Sequence, residues 1–492
     1  MKHFPRIIIF VFAGLQLLRL PLFPQFMDIY YHLQSAWGFI QAGGYSNWDF
    51  WEYAPFGRPN IYPPLFHILL ALLMKAGAGV VLLAKLLEGG SPVVFLVILW
   101  NFIRKNYGEE LGFFVSVAFC SSFAFFTFLS NHIPASLALA LGFLALGELF
   151  KKRVLRAVVL LILCFYTHAS VPWFFLLSCL IYGVMDKDHR RDAFRVILYS
   201  LLLSLPILTF EFLNLPFIKS VGNDFPVKFH LQVKVFDYIL AGFGLFLAAK
   251  MAPKYRLFIG LFLAGFIFLS YPFRFLSAEG YVPVLLLAAV AMQGAWEAFK
   301  TCIFKAKNIL AGILIFFILF VSPTLILDKP AGSSRINYKM EWMDSSLSGI
   351  LFGKGSSIWF PRMYLPAVDI IKKNSAKDDI IYSGINFSGV VLGALAQRAT
   401  SNALFPEVPP AVQVDPLAVA NIILLPKDLD GRFIKDISLK YKLALVGESE
   451  YFSVFRNPLT AYSLKIRKAA FSFREIVVVL FILAAVLFWK KT

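Results

Sequence analysis

Charge is scarce in this sequence. Asp, Glu, Lys and Arg make up 15% of its 492 residues, against about 25% in ordinary soluble domains. Hydrophobic residues make up 59%, much of it in apolar runs close to the ~20 residues that span a bilayer. This excludes a soluble globular enzyme and indicates a polytopic α-helical membrane protein. Cysteine is scarce as well. Cys120, Cys164, Cys179 and Cys302 lie in or beside apolar runs, so no disulfide framework and no zinc spacing is expected. The Gly-rich phosphate fingerprint of nucleotide binders is missing. No small-x-small cleavage site follows "MKHFPRIIIFVFAGLQLL", which therefore reads as an uncleaved first helix. Acids are outnumbered by bases, 29 to 47, for a net charge of +18. Most of the Lys and Arg punctuate apolar runs, as topology determinants do, so the excess does not point to nucleic acid.

What is present is an alternation. Lys2 and Arg6 put the N-terminus in the cytoplasm, and helix one (6–23) exits. Residues 24–61 form an external loop, and 62–77, with Pro63 and Pro64 in its first turn, forms a helix at the outer surface. Further spans are expected near 79–103, 111–129, 135–150, 155–167, 171–185 and 194–213. Two follow the loop at 214–232, and others fall at 277–294, 308–327 and 475–489. Counted this way, the strong basic clusters, from Arg104-Lys105 to Lys490-Lys491, fall inside. The expected fold is thus about twelve transmembrane helices with a small external α/β domain. Its parts are a membrane domain (1–327) with a first external loop at 24–78, the external domain (328–470) and a last helix (471–492). Both termini are expected to be cytoplasmic, in a plasma membrane, with a eukaryotic endoplasmic reticulum the alternative.

Within 328–470 the texture changes. "DDIIYSG" reads as a strand and "FSGVVLGALAQR" as a helix. "VANIILLP" reads as a buried strand and "GRFIKDISLKYK" as a helix, and "LALVGES" and "YFSVFRNP" close as strands. Strands alternating with helices imply a partly parallel sheet. "NFS" at 386–388 is a sequon.

Ionisable residues gather on the external side: Asp28, His32, Asp49, Glu52, Arg58, His67, His132, His168, Arg274 and Glu279. Such groups near membrane depth are functional candidates. Asp49 and Glu52 are equally well read as solvated loop acids. His67, alone at a helix end, reads as a hydrogen-bonded packing residue. Asp28 and His32, four apart, share a helix face, and the acid is not needed for an interfacial aromatic belt. Arg274 reads as a snorkelling side chain, as an ion-pair partner of Glu279, or as a phosphate clamp, since guanidinium suits bidentate phosphate binding.

"MDIYYHLQSAW" followed by "RPNIYPPLFHILLALL" resembles the start of the GT-C superfamily of membrane glycosyltransferases. The likeness is nearest to the oligosaccharyltransferase catalytic subunits and their shorter prokaryotic relatives. "FLSNHIPASLALALGFLAL", "YTHAS", "FRFLSAEGYVPVLLLAAVA" and "DDIIYSGINFSGVVLGALAQRATSN" extend the likeness over most of the chain. It implies a transferase that uses a sugar carried on a polyprenyl or dolichyl phosphate, with membrane lipids around it and an external glycan, lipid or protein as acceptor. The family's first-loop acid, a base or metal ligand, maps onto Asp28, and its phosphate-contacting base onto Arg274. Two features differ. The sequon-reading Trp-Trp-Asp-Tyr-Gly motif is replaced by "EWMDSSLSG" (341–349). The second-loop acidic pair is replaced by "LSNHIPA", with Asn131 and His132. That leaves Mg or Mn short of the hard oxygen ligands a divalent ion prefers, so no metal is assigned.

Attack on an anomeric carbon needs a base for the acceptor hydroxyl and stabilisation of the departing phosphate. Asp28 is expected to be the base, with His32 orienting it or the acceptor. Arg274, with His132 or His168, is expected to hold the phosphate. Asp49, Glu52, Arg58 and Glu279 complete the expected substrate-binding set. One displacement inverts the anomeric centre. Protein glycosylation of the oligosaccharyltransferase kind, a transporter, and a non-catalytic GT-C-like scaffold remain the alternatives.

Overall fold

The computed structural model describes residues 4–217, 229–301, 307–321, 323–329, 335–342, 345–351, 361–385, 388–403 and 408–488. Lys2, Cys302, Met343-Asp344, the sequon's Asn386 and Lys490-Lys491 lie outside them.

The twelve segments expected to span all fall on helix, but unequally. Val80–Tyr107, Ile133–Phe150, Arg190–Asn214 and the run Pro272–Lys300 are each long and apolar enough to cross a bilayer. Glu109–Cys120 with Phe123–Asn131 qualifies as a fifth span if taken as one, although the pair is bent by 80°. The other seven segments coincide with helices of 12 to 16 residues, among them Phe4–Arg19, Val154–Phe165 and Phe473–Phe488. These are shorter than the ~20 residues of a full span.

Three expectations change. The segment 111–129 is broken rather than continuous. Ser122 caps the second piece by accepting the Phe125 N–H, at 3.3 Å, a stop-and-restart signal written in two adjacent serines. The expected helix 308–327 ends at Phe320. Its tail, Thr324–Lys329, pairs antiparallel with Phe229–Val233 and with Asn337–Glu341. The loop 24–61 contains the helix Asp28–Ala42, closed by Gly43 in the left-handed region (φ +85°), where glycine carries no Cβ penalty.

That helix has no apolar stripe because it is covered all round: Ile29 through Phe39 are buried. A Cβ on Gly38 would lie 2.0 Å from the Trp51 ring, and one on Gly393 would lie 2.2 Å from Gln34 Nε2. Glycine at these two points lets the first loop and the helix Ser388–Ala396 close onto it.

The late region folds as the pattern implies. Its sheet has the order Ala444–Glu448, Phe452–Arg456, Ile422–Pro426, Ile380–Ser383, Ala399–Thr400. Ile380–Ser383 is parallel to both its neighbours, and the remaining pairs are antiparallel. The sheet is tied to the first loop by backbone bonds, Thr400 N–H to Trp51 O (2.8 Å) and Ala54 N–H to Thr400 O (2.9 Å). One apolar core runs from the Asp28–Ala42 helix into this α/β unit, so the unit buttresses the helix that begins with Asp28.

Candidate active site

Asp28 is the first residue of its helix, where the exposed backbone N–H groups favour a carboxylate. The chain leading to it is pinned from below. Glu88 accepts the N–H groups of Gln25 (2.8 Å) and Phe26 (3.4 Å) and pairs with Arg19 at 2.9 Å. Asp28 Oδ2 lies 2.6 Å from His132 Nδ1. His132 stands at the joint between Phe123–Asn131 and Ile133–Phe150, so the broken helix is what delivers it. His32 is not Asp28's partner. One turn further on, it is interior (2% exposed) and bonds His67, Nδ1 to Nε2 at 2.8 Å.

Arg274 lies in the short helix Pro272–Leu276. It pairs with Glu279 and donates from Nη1 to Ser170 Oγ at 3.0 Å. Among the described residues, its Nε and Nη2 have no hydrogen-bond partner, and its side chain is 28% exposed. His168 Nδ1 accepts the N–H groups of Ser170 (3.2 Å) and Val171 (3.3 Å). That places the His168 proton on Nε2, which sits 3.5 Å from Arg274 Nη1. Two nitrogen donors therefore converge there, an arrangement that suits an anion. Glu279 is fully buried, and its Oε2 has no partner among the described residues.

Tyr62 joins these groups. Its ring centroid is 5.4 Å from His32, 5.2 Å from His67 and 6.4 Å from His168. Burial raises its pKa, and Arg274, Asp28 and Glu279 all act on it electrostatically. The structure thus gathers Asp28, His32, His168, Arg274 and Glu279 around Tyr62, and His132 joins them through Asp28.

Asp49, Glu52 and Arg58 form a separate set. Arg58 pairs with Asp49 at 3.1 Å and with Glu52, and it donates to Val408 O at 2.8 Å. All three are at most 3% exposed. Their charges are used on one another and on the α/β unit, as a structural clasp would use them. Sequence reading singled out neither Tyr62 nor Ser170, although both stand inside the quoted "NIYPPLF" and "THAS" segments. It also missed the buried pair Lys234–Asp237 (3.0 Å), which bonds Ser121 at the bend and Tyr281. The only signal there was two opposite charges three residues apart.

Burial drives the pKa of His67 down to about 3 and that of His32 well below the ordinary value. Below pH 6.5 the unfolded chain takes up protons on these rings that the folded chain refuses, so stability falls as pH falls. Each ring is worth about 1.4 kcal/mol per pH unit in that window. Melting temperatures of wild type and His67→Gln between pH 7 and pH 5 check this. The variant's curve is expected to be the flatter one.

A divalent ion does not fit the donor set. Asp28 and His132 contact each other, Glu279 is held by Arg274, and no group of three His, Cys, Asp or Glu side chains is assembled among the described residues.

No protein-family profile matches the chain, and no curated protein matches it by sequence. Solved structures do. ArnT from Cupriavidus metallidurans in the apo state superimposes with a TM-score of 0.56 at 11% identity, over 93% of this chain and 97% of that one. The same enzyme bound to undecaprenyl phosphate gives 0.54 at 13% identity, over 93% and 98%. The archaeal oligosaccharyltransferase AglB from Archaeoglobus fulgidus, with an inhibitory peptide and a dolichol-phosphate, gives 0.58 at 9% identity, over 89% of this chain and 71% of that one. The fold is that of the GT-C glycosyltransferases. Identity this low carries the GT-C fold and nothing finer.

The segments that carry Tyr62 and His168 also meet at an apolar surface. Leu65 N–H bonds Tyr166 O at 2.7 Å. Behind this link lies a cavity of about 650 Å³ lined by Leu65, Tyr166, Ile207, Phe210, Ile476 and Leu480, among others.

Proposed function

We propose that this protein is a membrane glycosyltransferase that moves a sugar from a polyprenyl or dolichyl phosphate to a hydroxyl on an external acceptor. The observation that carries the reading is the convergence of an acid and an anion site. Asp28 stands beside His132, and Arg274 keeps two nitrogens unused beside His168 Nε2–H. Two neighbours in the GT-C fold were solved with undecaprenyl phosphate and dolichol-phosphate, the chemistry such an anion site would take.

Asp28 removes the acceptor hydroxyl proton. The oxygen then attacks the anomeric carbon, and the bond from that carbon to the phosphate oxygen breaks. The phosphate leaves with the electron pair, held by Arg274 and the His168 N–H. One displacement inverts the anomeric centre. The buried Glu279 holds the Arg274 guanidinium in place. The cavity behind Tyr166 has the volume and apolar lining for part of a prenyl chain. Twelve spans, cytoplasmic termini, a plasma-membrane setting and an external α/β unit complete the proposal.

The missing second-loop acids and the replaced sequon motif favour this reading over protein glycosylation. Purified protein in nanodiscs is to be incubated with polyprenyl-phosphate-linked monosaccharides and a hydroxyl acceptor. Release of polyprenyl phosphate, followed by mass spectrometry, is expected. Neither release nor binding of any such carrier would return the chain to the scaffold or transporter class.

A further inference from the structure

His67 looks like inert packing by sequence, yet its position is chemically odd. It is fully buried, its Nε2 is 2.8 Å from His32 Nδ1, and its own Nδ1 has no partner among the described residues. The rings of Tyr31, Phe39, Tyr62 and Phe66 pack against it. Both imidazoles are neutral, since burial opposes their cations and His32 feels His67, His132 and His168 as well. One proton must therefore lie between the two facing nitrogens, and there are two ways to place it.

If His32 donates from Nδ1, the proton of His67 sits on its own Nδ1. A buried N–H is then left with no acceptor. If His67 donates from Nε2, its Nδ1 keeps only a bare lone pair, and the proton of His32 moves to Nε2. Buried orphan N–H groups are rarer in proteins than under-used acceptors. The Phe39 and Tyr31 rings, nearly perpendicular to His67, offer the first arrangement at most a weak ring contact. The second arrangement is the one this surrounding selects.

We infer that His67 is a positioning residue that fixes His32 as an Nε2–H donor beside Tyr62, whose ring also neighbours His168. This rests on the transferase reading above and deepens it. Such a donor suits an anionic oxygen of the lipid phosphate. Burial holds its pKa well below the ordinary value, so it does not compete with Asp28 for the proton. Arg274 supplies the charge, and His32 supplies a fixed direction. The role of His32 is thus moved from orienting Asp28 to addressing the leaving group.

The test is ¹⁵N NMR of histidine-labelled protein in nanodiscs. The chain has seven histidines, and loss of one ring system in His32→Gln assigns His32. The expected result is a His32 protonated at Nε2 and bare at Nδ1, unchanged between pH 7 and pH 5. Geranyl phosphate should shift the Nε2 resonance. His67→Leu is expected to release His32 into a tautomer mixture and to lower kcat about tenfold, roughly one hydrogen bond's worth, with KM little changed. His67→Gln, whose amide can donate to the same atom, is expected to restore the single tautomer and most of kcat. A His32 protonated at Nδ1, or a Gln variant no better than Leu, overturns the inference. If the tautomer is as stated but no polyprenyl-phosphate sugar is turned over, the transferase reading falls and the tautomer assignment stands.

Discussion

Asp28→Asn is expected to abolish most turnover, with kcat down by about 10²–10⁴-fold, the usual contribution of a positioned base. The change is nearly isosteric, and the Asn carbonyl can still accept from His132 Nδ1. The fold should therefore survive, since Asp28 lies at a helix start with part of its carboxylate accessible. Binding of polyprenyl phosphate should survive too, because the variant removes a negative charge near the anion site. Unchanged binding with lost turnover is the signature of a residue acting on the acceptor. Wild-type-like turnover in folded Asp28→Asn would sink the assignment. His132→Gln sharpens the result. If Asp28 is the base and His132 steadies it, the histidine variant should lose far less than the aspartate variant. Equal losses would mean that His132 takes the proton and Asp28 orients it, the division of labour common in Asp–His pairs.

How much of this could be read beforehand depends on the kind of signal. The α/β unit was legible element by element, because its strands and helices alternate and have clear ends at "SG", "LP" and "RNP". The Asp28–Ala42 helix was legible only at its start, where Asp28 and His32 share a face; beyond that, a helix buried on all sides has no polar face to give it a period. The bend at Ser121–Ser122 was hidden inside one uninterrupted apolar run, and only the caps betray it. Candidate site residues were found mainly by charge in apolar surroundings. That filter caught Asp28, His132, His168, Arg274 and Glu279, which the fold brings together. It also caught Asp49, Glu52 and Arg58, whose charges meet each other instead. It passed over Tyr62 and Ser170, which are polar but uncharged. Pairing was the least legible property. Asp28 and His32 share a spacing, yet each bonds a residue from a distant segment, at positions 132 and 67.

Arg274 is where stability and function can be separated. Arg274→Gln removes the partner of a fully buried Glu279. Breaking a fully buried pair costs about 3–5 kcal/mol. Because the Arg274 side chain is 28% exposed, a discounted loss of about 2–3 kcal/mol is the expected result. It should appear as a lower melting temperature. Lost activity in that variant alone would therefore be ambiguous. The double variant Arg274→Gln/Glu279→Gln resolves it, since two neutral amides can hydrogen-bond where a lone buried carboxylate cannot. Melting is expected to recover most of the way. Turnover is not, because the departing phosphate would still lack its cation; removal of one such electrostatic group typically costs about 10²–10³-fold. Arg274→Lys should fall between, keeping the charge but losing the planar fork that reaches Ser170 and Glu279 together with a phosphate. A double variant that is both stable and active would show that Arg274 serves only to neutralise Glu279. The anion site would then have to be sought elsewhere, with the buried Lys234 the next cation among the residues that hold this end of the fold.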